Sequence, residues 1–191
     1  MQEIVDANDA PATHAAILGA AARIISHEPF EALSMRRVAL DAGVSLSTVV
    51  RHFGTKDALL GALVAMGGEN DPSRAPRFDI TQGSVTEAVS VVVDEYEADG
   101  DTVLNVLGQE HRFPALSRLL DTGRAGHRQW IRWAFEPQLR RRRGSRRQLV
   151  EDLLVVATDV YTWKLLRRDR GLSVDETRHA MTELARAVIA A

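Results

Sequence analysis

The stretch FEALSMRRVALDAGVSLSTVVRHFGTKDALL, Phe30–Leu60, decides the fold. Met35, Val38, Ala39 and Ala42 recur at helical spacing. Ser34 stands where a serine caps a helix by accepting one of its orphan N–H groups. Gly43 follows as a C-terminal stop. Ser45 then caps a third, very short helix that runs through Phe53. Two short helices joined by a glycine turn predict a helix-turn-helix. Ala39 and Gly43 are small enough to let the two helices cross closely, Val44 and Val49 face inward, and Phe53 is placed to plug a small core against the preceding helix. Leu46, Ser47, Thr48, Val50, Arg51 and His52 are left on the outer side. So short a helix is marginal on propensity alone. Its use is to present side chains to a DNA major groove.

The local charge agrees. Between Ser34 and Lys56 four bases (Arg36, Arg37, Arg51, Lys56) stand against one acid (Asp41), a net +3 in a chain whose total is −2. Arginine and lysine neutralise backbone phosphates, which supply much of the affinity for DNA. Ser34, Ser45, Ser47 and Thr48 are suited to phosphates or bases, Arg51 to guanine and His52 to a phosphate.

Outward from this stretch, Ile17, Ala21, Ile24 and Ile25 mark a first helix that Pro29 ends. Lys56–Met66 is a fourth, striped by Leu59, Leu63 and Met66. The acidic, polar residues 1–11 are expected to be a disordered tail, and 12–66 the helix-turn-helix domain. The run Gly67–Pro76 opens a linker taken to extend to residue 83. Residues 84–191 read as longer helices. Ser84 and Glu87 form a capping box before a stripe of Val85, Ala88, Val89, Val92, Val93 and Tyr96. A short helix is expected over about Asp101–Leu107. Pro114 opens a long one carrying Leu116, Leu119, Leu120, Gly123, His127, Trp130, Ile131 and Ala134, with Pro137 kinking or ending it. One helix is expected from about Ser145 to Arg168, and a last one after a second capping box, Ser173 and Glu176, with Met181, Leu184, Ala185 and Val188 on a face. No segment alternates with strand period for long. The expected fold is all-α: a three-helix helix-turn-helix head and a C-terminal helical ligand-binding and dimerisation domain, about nine helices in all.

Composition narrows the functional classes. The chain has 191 residues, 45% hydrophobic and 26% charged, as in an ordinary globular protein. It has no cysteine, which removes disulfides, thiolate metal sites and cysteine nucleophiles, and fits a reducing cytoplasm. The start lacks the basic and apolar runs of a signal peptide, and no apolar stretch approaches a membrane span. A cytoplasmic, nucleoid-associated protein without a membrane partner is the expectation. Six histidines (His14, His27, His52, His111, His127, His179) form no close pair at ligand spacing, so neither a metal nor another cofactor is expected.

Val38, Ala39, Ala42, Gly43, Val44, Ser45 and Thr48, followed by His52, Phe53, Thr55, Lys56, Leu59 and Leu60, hold fixed spacings that resemble the tetracycline-repressor (TetR) family of bacterial regulators. The likeness covers about Ala12–Met66. Trp163–Arg168 and Gly171–Ser173 resemble the ends of such proteins more loosely. The chain departs from the family where an aromatic usually stands (Val50), a lysine or similar (Leu46), a glycine (near Pro29) and an arginine (near His14). Leu46 and Val50 suit thymine methyl groups instead. The resemblance implies a homodimer on a double-stranded DNA operator, its last two helices forming the interface. It also implies a small-molecule effector enclosed by the C-terminal helices, whose binding shifts the heads out of register.

Tyr96, Leu107, His111, His127, Trp130, Trp133, Asp159 and Trp163 are the candidate effector residues; plain core is the alternative for each. Asp159, read as lying mid-helix in an apolar run, needs a partner, and an arginine of the preceding helix would serve. Arg140–Arg143 with Arg146 and Arg147 read as a solvated loop capping helix ends, ahead of a second DNA contact. The helix around Leu149–Leu166 is apolar on more than one side, which a partner subunit would cover. The function expected is a ligand-responsive DNA-binding regulator, a repressor released by an apolar or aromatic ligand. The alternatives are an interaction adaptor with a degenerate head, or an enzyme in the C-terminal domain. No G-x-S-x-G, phosphate loop or H-E-x-x-H favours the enzyme.

Overall fold

The structure, a computed structural model, describes residues 10–66, 77–112 and 114–191. Among the described residues there are ten α-helices and no strand. They form two compact units. One holds the described residues up to 66 together with Asn105–Leu120; the other holds residues 77–104 together with Asp121–Ala191.

In the first unit, α1 (Ala10–His27) leads through a 3-10 turn at Phe30–Ala32 into α2 (Met35–Asp41), α3 (Leu46–Phe53) and α4 (Lys56–Met66). The helix α1 begins at Ala10, two residues before the expected domain boundary, and ends before Pro29. Its stripe closes on the other helices: Ile17, Ile24, Leu33, Val38, Val49 and Leu59 are buried. Val106, Leu116 and Leu120 complete that core, so the region expected as one domain over 84–191 lends residues 105–120 to the head. The loan is tied by hydrogen bonds. Asn105 Nδ2 donates to the carbonyls of Ile25 (2.9 Å) and Glu28 (3.2 Å), at the end of α1 where carbonyls lack helical partners. The Phe30 N–H donates to Gln109 Oε1 at 2.5 Å.

The later helices are α5 (Val85–Gly108), α6 (Pro114–Ala134), α7 (Glu136–Leu139), α8 (Gly144–Ala157), α9 (Val160–Lys164) and α10 (Val174–Ala190). Two expectations are corrected here. The helix after Ser84 and the short helix over Asp101–Leu107 are one, α5, running unbroken across the Asp99–Gly100–Asp101 run that reads as a break. Gly100 is there for packing: a Cβ on it would lie 2.6 Å from Trp163 Cζ3 and 2.8 Å from Cη2. Conversely, the single helix expected over Ser145–Arg168 is interrupted. Thr158 Oγ1 donates back to the Leu154 carbonyl at 2.9 Å, competing with the helical ladder. Asp159 is therefore not mid-helix but the cap of α9, accepting the Tyr161 N–H at 2.8 Å. Beyond Lys164 the turn widens to a π-helix at Leu165–Asp169.

Caps set the other ends. Ser173 and Glu176 make the expected capping box. At α5 the box is half made: the Glu87 N–H donates to Ser84 Oγ (3.4 Å), while Glu87 Oε2 accepts the Thr81 N–H (2.7 Å) in place of the Ser84 N–H, which donates to the Thr81 carbonyl. Arg142 donates to the carbonyls of Gln138 and Ile189, and Arg146 to that of Ala191, so part of the arginine run closes helix ends. The linker expected from residue 67 lies, up to 76, outside the described residues.

Candidate nucleic-acid interface

The short α3 is held at both ends by its own sequence. Gly43 (φ +68°) and Gly54 (φ +71°) take left-handed turns on either side. Ser45 Oγ accepts the Thr48 N–H at 3.1 Å and lies 2.7 Å from Ser47 Oγ and 2.8 Å from Thr48 Oγ1. Its hydroxyl thus makes three hydrogen bonds within the first turn of α3. Ser34 likewise caps α2, accepting the Arg37 N–H at 3.1 Å. Val49 is buried, and Phe53 stacks on the His14 ring at 4.7 Å, the plug against α1 that its position implied. His14 thus does packing work where the family resemblance led one to expect an arginine. His52 is half-buried, 5.9 Å from the same ring.

Next to these buried positions, Leu46 is 39% and Val50 46% exposed. Ser47 and Arg51 are exposed beside them and Thr48 is half-buried. Arg36 and Arg51 enter no ion pair among the described residues, and both are exposed. Arg37 is different: it donates to Glu28 Oε1 at 2.8 Å and Asp41 Oδ1 at 3.0 Å, and these carboxylates hold its guanidinium pKa above the ordinary value. Lys56 lies over the Phe30 ring at 4.0 Å, its Nζ 3.4 Å from the Phe30 carbonyl, and burial lowers its ammonium pKa. The expected DNA cations thus divide into two displayed, Arg36 and Arg51, and two engaged within the head, Arg37 and Lys56. The Arg37–Asp41 pairing was readable from its i, i+4 spacing; the Glu28 half of the clamp carries no local signal.

In the second unit the aromatic candidates gather around a residue the sequence did not single out, Arg77. Its guanidinium pairs with Glu95 at 2.5 Å, donates to His127 Nδ1 at 3.1 Å and lies 5.2 Å from the Trp130 ring. Trp130 Nε1–H donates to the Arg77 carbonyl at 2.8 Å. With Nδ1 accepting, His127 Nε2 carries the hydrogen and donates to Thr158 Oγ1 at 3.0 Å. The Tyr96 hydroxyl donates to the Thr158 carbonyl at 3.0 Å, and its burial drives the phenol pKa up. Trp163 lies 5.9 Å from Tyr96 and donates to Glu97 Oε1 at 2.8 Å. Asp159 is half-buried at the head of α9; burial raises its carboxyl pKa, partly offset by the Tyr161 N–H and the Arg124 charge. Trp133 sits apart, edge-on to Phe78 at 5.0 Å. Leu107 packs on the core of the first unit, and His111 is exposed in a 3-10 turn of that unit. Among the described residues no helix is long and apolar enough to cross a membrane, and no three metal-type ligands converge.

Residues 17–63 match the family of bacterial regulatory proteins, tetR family. No curated protein matches the chain in sequence. Among solved structures, it is similar to a protein from Rhodococcus sp. assigned to the TetR-family transcriptional regulators. That structure has a TM-score of 0.69 at 19% identity, over 93% of this chain and 99% of that one. A transcriptional regulator from Pseudomonas aeruginosa PAO1 gives 0.68 at 18%, over 93% and 90%. The multidrug binding protein EbrR complexed with imidazole gives 0.60 at 21%, over 90% and 93%. At these identities the likeness is one of fold, and it spans nearly the whole chain.

Proposed function

We propose, from the match of residues 17–63 to the tetR family of bacterial regulatory proteins, that this chain is a cytoplasmic repressor that binds a palindromic operator as a homodimer and leaves it when a small apolar or aromatic effector binds. One observation carries the DNA reading. The outer edge of α3 presents Leu46, Ser47, Val50 and Arg51 to solvent, beside a displayed Arg36, on a helix too short to stand without the packing of Val49 and Phe53 beneath it. Ser34, Thr48, His52 and the engaged Arg37 and Lys56 rim that edge and contact the flanking phosphates.

The homodimer reading is supported by α8. Val150, Leu154 and Ala157 bury one side of it, while Leu149, Leu153 and Val156 stand 46%, 40% and 57% exposed on another, and Leu184 of α10 is 41% exposed. A second copy of this chain, laying the same stripe against its own, covers them. Stable dimers bury about 800 Å² per partner, which two such helices can supply. Heads on successive major grooves must sit about 34–36 Å apart. An effector that binds better to another spacing therefore releases DNA by mass action.

The effector site we propose is the group Tyr96, His127, Trp130, Asp159 and Trp163: aromatic side chains with a few fixed polar groups are the usual form of such sites. That the similarly folded EbrR is a multidrug binding protein is in keeping with it. Catalysis is not part of the reading.

The test is selection of bound duplexes from a random pool at two salt concentrations. A palindrome should emerge, with affinity falling steeply as salt rises. No enrichment at either salt would sink the repressor and favour an adaptor.

A further inference from the structure

We propose that Leu46 and Val50 read thymine methyl groups, so that each operator half-site carries two thymines about two base steps apart, with Arg51 addressing a guanine beside them. The inference rests on the DNA-binding reading above and adds to it the base chemistry of the site.

Leu46 is the first residue of α3, and the first residues of a recognition helix are those that meet base edges. Val50 is four residues on, so the two form one stripe. Both are aliphatic, and both are exposed in a helix whose other large apolar residues, Val49 and Phe53, are buried. The surroundings indicate what covers them. Arg51 stands next to Val50 on the same helix, exposed and without an ion pair among the described residues, so the occupant is a polyanion rather than an apolar protein face. The major-groove feature that rewards an aliphatic side chain is the C5 methyl of thymine.

The polar alternatives on this edge do not grip a base with two hydrogen bonds. Ser45 Oγ is saturated by the Thr48 N–H and by the hydroxyls of Ser47 and Thr48, each of which has one bond committed to it. His52 leans toward His14 and Phe53. Bidentate reading of a base therefore falls to Arg51, adjacent to Val50. The spacing follows from the helix: four residues rise about 6 Å, against a base step of about 3.4 Å.

Uracil in place of thymine removes the methyl and leaves every hydrogen-bonding group of the pair in place, so it isolates the contact. The duplex chosen by selection is remade with single uracil substitutions and its affinity measured by fluorescence anisotropy. Two positions per half-site should each lose roughly fourfold, the equivalent of one methylene's burial, and the remaining thymines nothing. Leu46→Ala should erase the loss at one of the two positions and Val50→Ala at the other. Both side chains are exposed, so helix content and salt slope should stay as in the parent. Uniform tolerance of uracil by a specifically bound duplex would overturn the inference while leaving the DNA reading intact. A variant that keeps the parent's thymine-to-uracil ratio at both positions would overturn it too. Failure to select any duplex would remove both.

Discussion

At the scale of single residues, the structure separates side chains that look alike in the sequence. Arg36 and Arg37 are neighbours, yet one is displayed and the other clamped between Glu28 and Asp41. Arg36→Ala should weaken DNA binding across all sequences and lower the salt slope by about one unit. Arg37→Ala should instead lower the melting temperature while changing the slope less. Equal slopes in the two variants would show the clamp has no bearing on which cation meets phosphate. Gly100 offers a second case. Its missing Cβ leaves room for the Trp163 ring, so Gly100→Ala forces an overpacked contact and should cost about 1–3 kcal/mol. Urea unfolding followed by tryptophan fluorescence reads it. Adding Trp163→Phe should recover part of that cost, because the double variant no longer holds the ring atoms that clash, and the two effects will then fall short of additivity. Strict additivity would mean that the backbone, not the ring, absorbs the alanine.

At the scale of elements, what could be read in advance was what local chemistry decides. The ends of α2 and α3 follow from Ser34, Gly43 and Ser45, each acting on backbone within three residues, and α4 spans Lys56–Met66 as its stripe implied. The outer edge of α3 was legible for the same reason: burial of Val49 and Phe53 leaves the rest outside. The misreadings share a distant cause. Gly100 stays in a helix because Trp163, 63 residues later, packs on it. Thr158, where a helix is interrupted, is held from afar, its carbonyl by the Tyr96 hydroxyl and its Oγ1 by His127. Arg77 carries no local signal because its partners, Glu95, His127 and Trp130, are far along the chain. Asp159 also carries a prediction. Burial raises its carboxyl pKa above the unfolded value of about 3.9. The ionised side chain is therefore a liability that grows as pH rises through the folded pKa and is absent below the unfolded one. Asp159→Asn keeps an oxygen for the Tyr161 N–H and drops the charge. It should be at least as stable as the parent at pH 7, with the difference closing as the pH is lowered toward 4. An asparagine variant destabilised at pH 7 as much as Asp159→Ala would mean the charge itself is well paired.

At the scale of the whole molecule, the proposed regulator is a DNA-reading head paired with a second copy of itself. The exposed stripe of Leu149, Leu153 and Val156 is the feature that the proposed copy would cover. Leu153→Glu places a charge where two such stripes would meet. It should turn a dimer into a monomer in sedimentation, leave the helical circular dichroism unchanged, and weaken operator binding because one head alone grips one half-site. A variant that remains dimeric would move the interface elsewhere. The central claim, that two heads read two half-sites, is tested most directly by footprinting the selected duplex while measuring how many protomers it carries. The account predicts two protomers per duplex and two protected patches centred about 10–10.5 base pairs apart or a multiple of that. One protomer on one patch, or protection without defined edges, would contradict it.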